Sequence, residues 1–172
     1  MTQNLKHLIK DYINFPVRGI IFKDILPLLQ HPDVFSKVIE EMSESPIFKN
    51  AEAIISIDAR GFIFGSAISL YASKPMVVAR KPGKLPGELL EEKYSLEYGE
   101  GSLSIQKKAL KRFNTYAIVD DLLATGGTVN CVSKILKSKN KIITGILVVV
   151  ELKDLGGRSV INYPVQSIIS IW

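Results

Sequence analysis

Residues 119–128 read VDDLLATGGT and join the end of an apolar, β-forming run to the start of an amphipathic helix. The run ends at Val119, and the residues after Thr128 place apolar side chains at helical spacing. A buried strand that turns directly into a helix is the unit from which α/β domains are built. Further apolar runs at residues 53–57 and 142–150 alternate with helical segments. The sequence therefore predicts an α/β fold with a mainly parallel sheet flanked by helices.

The composition is that of one globular domain, which we expect to span residues 1–172. Hydrophobic residues make up 47% of the chain and charged residues 23%, which argues against disorder. The net charge is +5, but the basic residues are scattered, so we expect no nucleic-acid partner. The single cysteine can form no internal disulfide, and we find neither a signal peptide nor an apolar run of membrane-spanning length. We expect a cytoplasmic protein with no membrane partner.

Local patterns predict the remaining elements. Apolar residues at helical spacing between Leu5 and Ile13 predict an opening helix that Pro16 ends, and a structured loop follows it. Residues 80–101 are charged and rich in glycine, and loops of this length are uncommon unless they are functional. The other predictions are a helix from Pro32, a helix at residues 62–71, and strands at residues 76–79 and 102–105.

The two halves of VDDLLATGGT suit the two halves of a ribose 5-phosphate. Two adjacent carboxylates, Asp120 and Asp121, are costly to bury without hydrogen-bond donors, and ring hydroxyls are such donors. Residues 125–128 (TGGT) open the helix with backbone amides and two hydroxyls, which can hold a phosphate. An alternative is that DD ends a strand and TGGT caps a helix, which explains each half but not their combination. A nucleoside triphosphate loop would need Lys at Thr128, and no GxGxxG motif is present.

VDDLLATGGT resembles the ribose phosphate motif of the phosphoribosyltransferase family, in the form of its adenine-specific members. Other segments resemble the same family in order along nearly the whole chain: FPVRGIIFKDI, DARGFIFG, ARKPGKLPGE, YSLEYG and ELKDLGG. The resemblance implies a single-domain phosphoribosyltransferase fold, with residues 1–31 as an N-terminal hood and residues 80–101 as a flexible lid loop. It also implies a homodimer that transfers the 5-phosphoribosyl group from phosphoribosyl pyrophosphate to adenine, giving AMP and pyrophosphate. This purine salvage reaction would depend on Mg²⁺ and pass through an oxocarbenium-like transition state.

The resemblance further implies roles for individual residues. The ribose and its phosphate would contact Asp120, Asp121, Ala124, Thr125, Gly126, Gly127 and Thr128. Pyrophosphate would contact Arg60, Gly61, Lys81 and Lys84. Adenine would contact Ile21, Phe22, Lys23 and Leu152. The catalytic residues would be Arg60, Lys84, Glu97 and Tyr98, the last two on the lid. Mg²⁺ would be held mainly by the substrate, with no direct protein ligand and with Asp121 as a contact through water.

The choice of base and the proton-transfer group also follow from the resemblance. Related enzymes that act on 6-oxopurines have an Asp for proton transfer where this chain has Ala124, which favours adenine and moves this role to Glu97. Lys23 stands where many relatives have Arg, but the contact there is largely main-chain, so we expect little effect on base choice. Two alternatives stay open. One is a regulator that binds phosphoribosyl pyrophosphate, although the first 30 residues show no helix-turn-helix pair. The other is an enzyme for xanthine or orotate.

Overall fold

A parallel β-sheet lies at the centre of this computed structural model, which describes residues 5–96 and 99–172. Side chains are described for residues 5–94 and 101–172. The strands and helices in chain order are β1 (Lys10–Ile13), β2 (Ile21–Asp24), α1 (Pro32–Glu44), α2 (Pro46–Lys49), β3 (Ala53–Ile57), α3 (Gly61–Tyr71), β4 (Met76–Ala79), β5 (Leu89–Leu96), β6 (Gly99–Gln106), β7 (Thr115–Leu123), α4 (Gly127–Ser138), β8 (Ile142–Leu152) and β9 (Val165–Ile171). Short 3₁₀ turns lie at Lys6–Leu8, Leu26–Gln30, Ala109–Lys111, Lys153–Leu155 and Gly157–Val160.

The central sheet has the strand order β4-β3-β7-β8-β9, and each neighbouring pair is parallel. Apolar side chains cover both faces of the sheet. In β7, successive side chains point to opposite faces. Tyr116 and Ile118 pack with α4 and β6 on one face, whereas Ala117 and Val119 pack with α1 and α3 on the other. The predicted α/β fold with a parallel sheet flanked by helices is therefore confirmed.

The predicted central strands and helices are present, with two differences. Strand β7 continues to Leu123, so Asp120 and Asp121 belong to the strand and do not follow it. Pairing with β8 extends the strand, since Asp120 lies opposite Val148 and Leu123 lies opposite Glu151. Strand β9 was not predicted, although its sequence VQSIISI is rich in β-branched residues.

The predicted opening helix is wrong. Within the described part of this segment, only Lys6–Leu8 forms a 3₁₀ turn, and residues 10–13 form β1. Strand β1 pairs antiparallel with β2, from Lys10 opposite Asp24 to Ile13 opposite Ile21. A short isolated helix is marginal in water, whereas the hairpin supplies backbone hydrogen bonds from a second segment. Part of the predicted structured loop thus forms β2.

The predicted lid loop is largely an antiparallel hairpin. Strands β5 and β6 pair from Leu89 opposite Gln106 to Leu96 opposite Gly99. Its inner residues Leu103 and Ile105 are fully buried against the sheet side that carries α4. The predicted strand at residues 102–105 is confirmed as part of β6. Glu97 and Tyr98 lie outside the described residues.

None of the helices that the structure describes is long and apolar enough to cross a membrane.

Candidate active site

The carboxyl ends of the parallel strands bring most of the predicted site residues to one edge of the sheet. Asp58 follows β3, Lys81 comes shortly after β4, Asp120 lies near the end of β7, and Leu152 ends β8. Open α/β sheets bind ligands at this edge because successive strands end there with loops that face the same space.

A cleft of about 370 Å³ opens at this edge, and we call it the cradle cleft. Its lining includes Arg60, Lys81, Asp120, Asp121 and residues 124–128. The structure therefore gathers the predicted ribose phosphate residues with two of the predicted pyrophosphate residues. Cations, carboxylates and the start of a helix meet within one space.

One end of the cleft is the N-terminus of α4, where the sequence predicts a phosphate site. Gly126 precedes the helix with φ of +84°, a left-handed conformation that glycine adopts without strain. No described side chain caps this end, and the first turn contains no acidic residue. The backbone amides and the positive end of the helix dipole can therefore bind an anion.

The carboxylate end of the cleft is formed by two buried aspartates. Asp120 and Asp121 are 6% and 7% exposed, and the Asp121 backbone N–H donates to Asp120 Oδ1 at 2.8 Å. Burial, with a further contribution from the charge of Asp121, raises the pKa of Asp120 well above its usual value. Arg60 Nε lies 2.8 Å from Asp121 Oδ2, but the direction is not that of a hydrogen bond, so this oxygen can still accept one. A ligand with adjacent hydroxyls would supply the missing donors.

Arg60 connects this cleft with a second space. Its guanidinium lies 4.9 Å from the centroid of the Phe22 ring, and it donates to the backbone carbonyl of Lys23 at 3.4 Å. The early segment around β2 is therefore held against the strand end that carries Asp121. Arg60 lines both spaces.

The second space is a pocket of about 720 Å³, which we call the apolar pocket. It is lined by all four predicted adenine-binding residues: Ile21, Phe22, Lys23 and Leu152. The Lys23 ammonium pairs with Asp11 at 2.6 Å, so its charge is engaged within the β1-β2 hairpin. The apolar pocket and the cradle cleft share Leu122, Ala124 and Thr125, and one ligand can therefore occupy both.

Among the described residues, the predicted pyrophosphate contacts Lys84 and Gly61 do not line the cleft. Lys84 is exposed on the connection between β4 and β5 and is not among the lining residues. Glu97 and Tyr98 lie outside the described residues. Gly61 is the first residue of α3, directly after Arg60. Asp58 lines the cleft as well, forms a cis peptide with Ala59, and pairs with Arg80 Nε at 3.0 Å.

Sequence reasoning missed several lining residues. Tyr94 lines the cradle cleft, and Leu155, Ile171 and Trp172 line the apolar pocket. The apolar run at residues 165–171 could have revealed the last two. A further parallel strand there would end at the same edge as the others.

The chain is similar to known proteins along nearly its whole length. The family model described as "Phosphoribosyl transferase domain" matches residues 26–171. An adenine phosphoribosyltransferase of Prochlorococcus marinus (strain MIT 9515) is 65% identical over 170 residues, which cover 99% of each chain. The crystal structure of adenine phosphoribosyltransferase from Thermoanaerobacter pseudethanolicus is similar with a TM-score of 0.92 at 38% identity, and covers 99% of this chain and 100% of that one.

A complexed structure gives the same fold. The Saccharomyces cerevisiae adenine phosphoribosyltransferase, solved with an imino-altritol bisphosphate and adenine, is similar with a TM-score of 0.85 at 35% identity, and 97% of each chain is covered. The chain therefore belongs to the phosphoribosyltransferase family, within its group of adenine phosphoribosyltransferases.

Proposed function

We propose that this chain transfers the 5-phosphoribosyl group from phosphoribosyl pyrophosphate to adenine, giving AMP and pyrophosphate for purine salvage. The observation that carries the proposal is the shared wall of the two spaces. Leu122, Ala124 and Thr125 line both the cradle cleft and the apolar pocket, as a nucleotide with its phosphate in one and its base in the other requires. The relatives named adenine phosphoribosyltransferases support adenine as the base.

The ribose phosphate half of the substrate is held by β7 and α4. Asp120 and Asp121 accept hydrogen bonds from the ribose hydroxyls, which relieves the cost of burying two adjacent carboxylates. The amides of residues 125–128 hold the 5-phosphate, with the hydroxyls of Thr125 and Thr128 beside them. These groups fix the sugar while the bond to pyrophosphate breaks.

The pyrophosphate half leaves with growing negative charge. Arg60 and Lys81 line the cradle cleft and are suited to stabilise that charge, and Gly61 begins the helix behind Arg60. Lys84 joins this group in our proposal from the family resemblance. It lies only three residues after Lys81 on the same connection, which leads into the β5-β6 hairpin.

The residues of the cleft fit Mg²⁺ that is bound mainly through the substrate. The described residues contain no group of three or more His, Cys, Asp or Glu that could hold a metal ion by themselves. Two carboxylates, with one oxygen of Asp121 lacking a hydrogen bond, suit an ion that keeps several waters and takes substrate phosphates. Asp121 would contact it through water. When bound, Mg²⁺ neutralises charge on the pyrophosphate.

The base is held in the apolar pocket by Ile21, Phe22 and Leu152, with the backbone around Ile21 and Lys23 facing its amino edge. Ala124 offers no carboxylate to the base, so we assign proton transfer to Glu97, with Tyr98 beside it on the lid. Adenine is favoured over 6-oxopurines because Ala124 supplies no charged group that could interact with a base carrying a 6-oxo group.

We further propose that the chain works as a homodimer in the cytoplasm. Support for self-association comes from the end of α3, where Leu70 is 85% exposed and Tyr71 is 56% exposed. A partner chain packed on this end of α3 would remove both apolar side chains from water.

A turnover assay tests the reaction directly. The chain is incubated with phosphoribosyl pyrophosphate, Mg²⁺ and one of five bases: adenine, guanine, hypoxanthine, xanthine or orotate. We expect formation of the nucleotide from adenine alone. Preference for another base would contradict the substrate, and binding of phosphoribosyl pyrophosphate without turnover of any base would favour a regulator.

A further inference from the structure

Three apolar side chains at the apolar pocket remain exposed to solvent. Ile21 is 53% exposed, Leu155 is 43% exposed, and Trp172 is 78% exposed. Single exposed apolar residues are ordinary on protein surfaces. Three of them around one concave space are unusual, because such pockets bury their apolar walls only when a ligand occupies them.

The fold brings Trp172 to this pocket. Strand β9 pairs with β8 so that Ile171 lies opposite Leu152, a predicted adenine contact. Trp172 follows directly, at the carboxyl edge where the other site residues lie. Its ring lies 4.3 Å from the Lys153 ammonium, measured to the ring centroid. This cation–π contact orients an indole that is otherwise largely surrounded by solvent.

We propose that Trp172 forms the outer wall of the adenine subsite and packs against the purine. The inference rests on the proposed function and adds a residue to that same site. A purine is flat and aromatic, and an indole is the largest flat apolar surface that a protein can offer to it. The Lys153 cation lies on one face of the ring, so the purine packs on the other face or along the ring edge.

Trp172 also completes the enclosure of the base. Ile21 approaches from β2, Leu152 ends β8, and Leu155 belongs to the 3₁₀ turn that follows. These three residues are aliphatic, and Phe22 on β2 is the other aromatic residue that lines the pocket. Trp172 adds an aromatic surface beside them and shields the base from water during transfer.

Fluorescence tests the contact itself, because Trp172 is the only tryptophan of the chain. Emission excited selectively from tryptophan is measured while AMP or ribose 5-phosphate is added. The two ligands occupy the same cradle and differ only by the base. We expect a saturable change in emission with AMP and none with ribose 5-phosphate. The same change with both ligands, or none with saturating AMP, would overturn the proposal.

Steady-state kinetics test the contribution of Trp172 to the binding of adenine. Stacking of a base on an aromatic side chain predicts that Trp172→Ala raises the KM for adenine roughly 10-fold. We expect kcat and the KM for phosphoribosyl pyrophosphate to stay within about twofold, since binding of the base alone is weakened. Trp172→Phe should restore most of the affinity. Ile142→Ala serves as the control. Ile142 is also an exposed apolar residue, but it begins β8 at the opposite edge of the sheet.

The outcomes separate this proposal from the proposed function. An unchanged KM for adenine in Trp172→Ala, with normal turnover by the unaltered chain, overturns the role of Trp172 and leaves the reaction intact. Absence of turnover by the unaltered chain contradicts the reaction, and the AMP titration then still decides whether Trp172 contacts a purine.

Discussion

At the scale of single residues, the cradle cleft contains two buried carboxylates whose burial lowers the stability of the free protein. Asp120 is buried next to a second carboxylate, and its raised pKa shows that the folded chain holds this charge unfavourably without a ligand. Arg60 approaches the other carboxylate, Asp121, and cannot offset both. In the proposed function, ribose hydroxyls donate to this carboxylate and offset the cost of its burial.

We predict that Asp120→Asn stabilises the free protein and impairs the reaction. Asn keeps an oxygen that accepts from the Asp121 backbone N–H, a bond of 2.8 Å, and removes the buried charge. A gain of about 1 kcal/mol would raise the Tm by roughly 2–4 °C for a chain of this size. Loss of a charged acceptor should lower kcat/KM by roughly 10- to 100-fold.

The pH dependence of the Tm provides a second measurement for Asp120→Asn. Because the pKa of Asp120 is raised on folding, the native state of the unaltered protein loses relative stability as pH rises from about 3.8 through the folded pKa. The Tm advantage of Asp120→Asn should therefore be larger at pH 8 than at pH 5. Glu40→Gln, the same chemical change at an exposed position of α1, is the control, because it removes no charge from the protein interior. A lower Tm for Asp120→Asn at pH 8 would contradict the prediction.

Glu97 is predicted from the family resemblance to transfer the proton, and it lies outside the described residues. We expect Glu97→Gln to lower kcat by roughly 10²-fold, the usual contribution of a general acid or base. The affinity for phosphoribosyl pyrophosphate should change little, because the cradle is untouched. Steady-state kinetics with both substrates measure the two effects separately. An unchanged kcat would rule out this assignment.

At the scale of elements, two loops pack against each other beside the cradle cleft. The loop between β7 and α4 packs with its backbone on Gly157, in the segment after β8. A Cβ at Gly157 would overlap the carbonyl oxygen of Ala124 and approach the Gly126 amide at 3.0 Å. The segment is held in place by Arg158, which pairs with both oxygens of Glu151 and donates to the Val165 carbonyl. We therefore expect the shape of the cradle cleft to depend on a loop that does not line it.

We predict that Gly157→Ala displaces the phosphate cradle. The clash is with backbone atoms and cannot be relieved by rotation of a side chain, so it should cost about 1–3 kcal/mol. The KM for phosphoribosyl pyrophosphate should rise by roughly 10-fold or more, because each 1.4 kcal/mol of lost binding is a factor of ten. Thermal unfolding and steady-state kinetics measure the two effects.

Gly156→Asn is the matched control for this change. Gly156 is the neighbouring residue, has a φ of +65°, and leaves a Cβ in ordinary contact with Ser159 Oγ alone. Asn tolerates this left-handed conformation better than most residues. Its KM for phosphoribosyl pyrophosphate should stay near that of the unaltered chain. Equal KM values in the two variants would show that the backbone contact does not position the cradle.

At the scale of the whole molecule, the apolar surface at the end of α3 belongs to the proposed homodimer. We predict by light scattering a particle of twice the mass of one chain. Leu70→Glu should shift it toward the monomer, since a charge in an apolar interface is costly to bury. Ile142→Glu, at an exposed apolar residue on β8, should leave the mass unchanged. A monomeric unaltered chain, or a Leu70→Glu chain that stays dimeric, would contradict the predicted dimer or its location.

The sequence by itself determined the class of fold, and it predicted a phosphate site at residues 125–128, which line the cradle cleft. Periodicity is a local property, so the helices α1, α3 and α4 and the strands β3 and β4 could be predicted from neighbouring residues. Residues 119–128 carry the carboxylates, the turn and the helix start in one continuous stretch. The chemistry of residues 119–128 could therefore be predicted without any tertiary contact.

The tertiary structure alone decided the features that depend on distant segments. Residues 10–13 became a strand because β2 offered backbone hydrogen bonds, and residues 89–106 became a hairpin for the same reason. The apolar pocket joins residues from β2, the end of β7, the end of β8 and the end of β9. Gly157 carries no local pattern that marks it as a contact of the loop between β7 and α4. Only the parallel sheet, by ending its strands at one edge, brings the distant segments of the apolar pocket together.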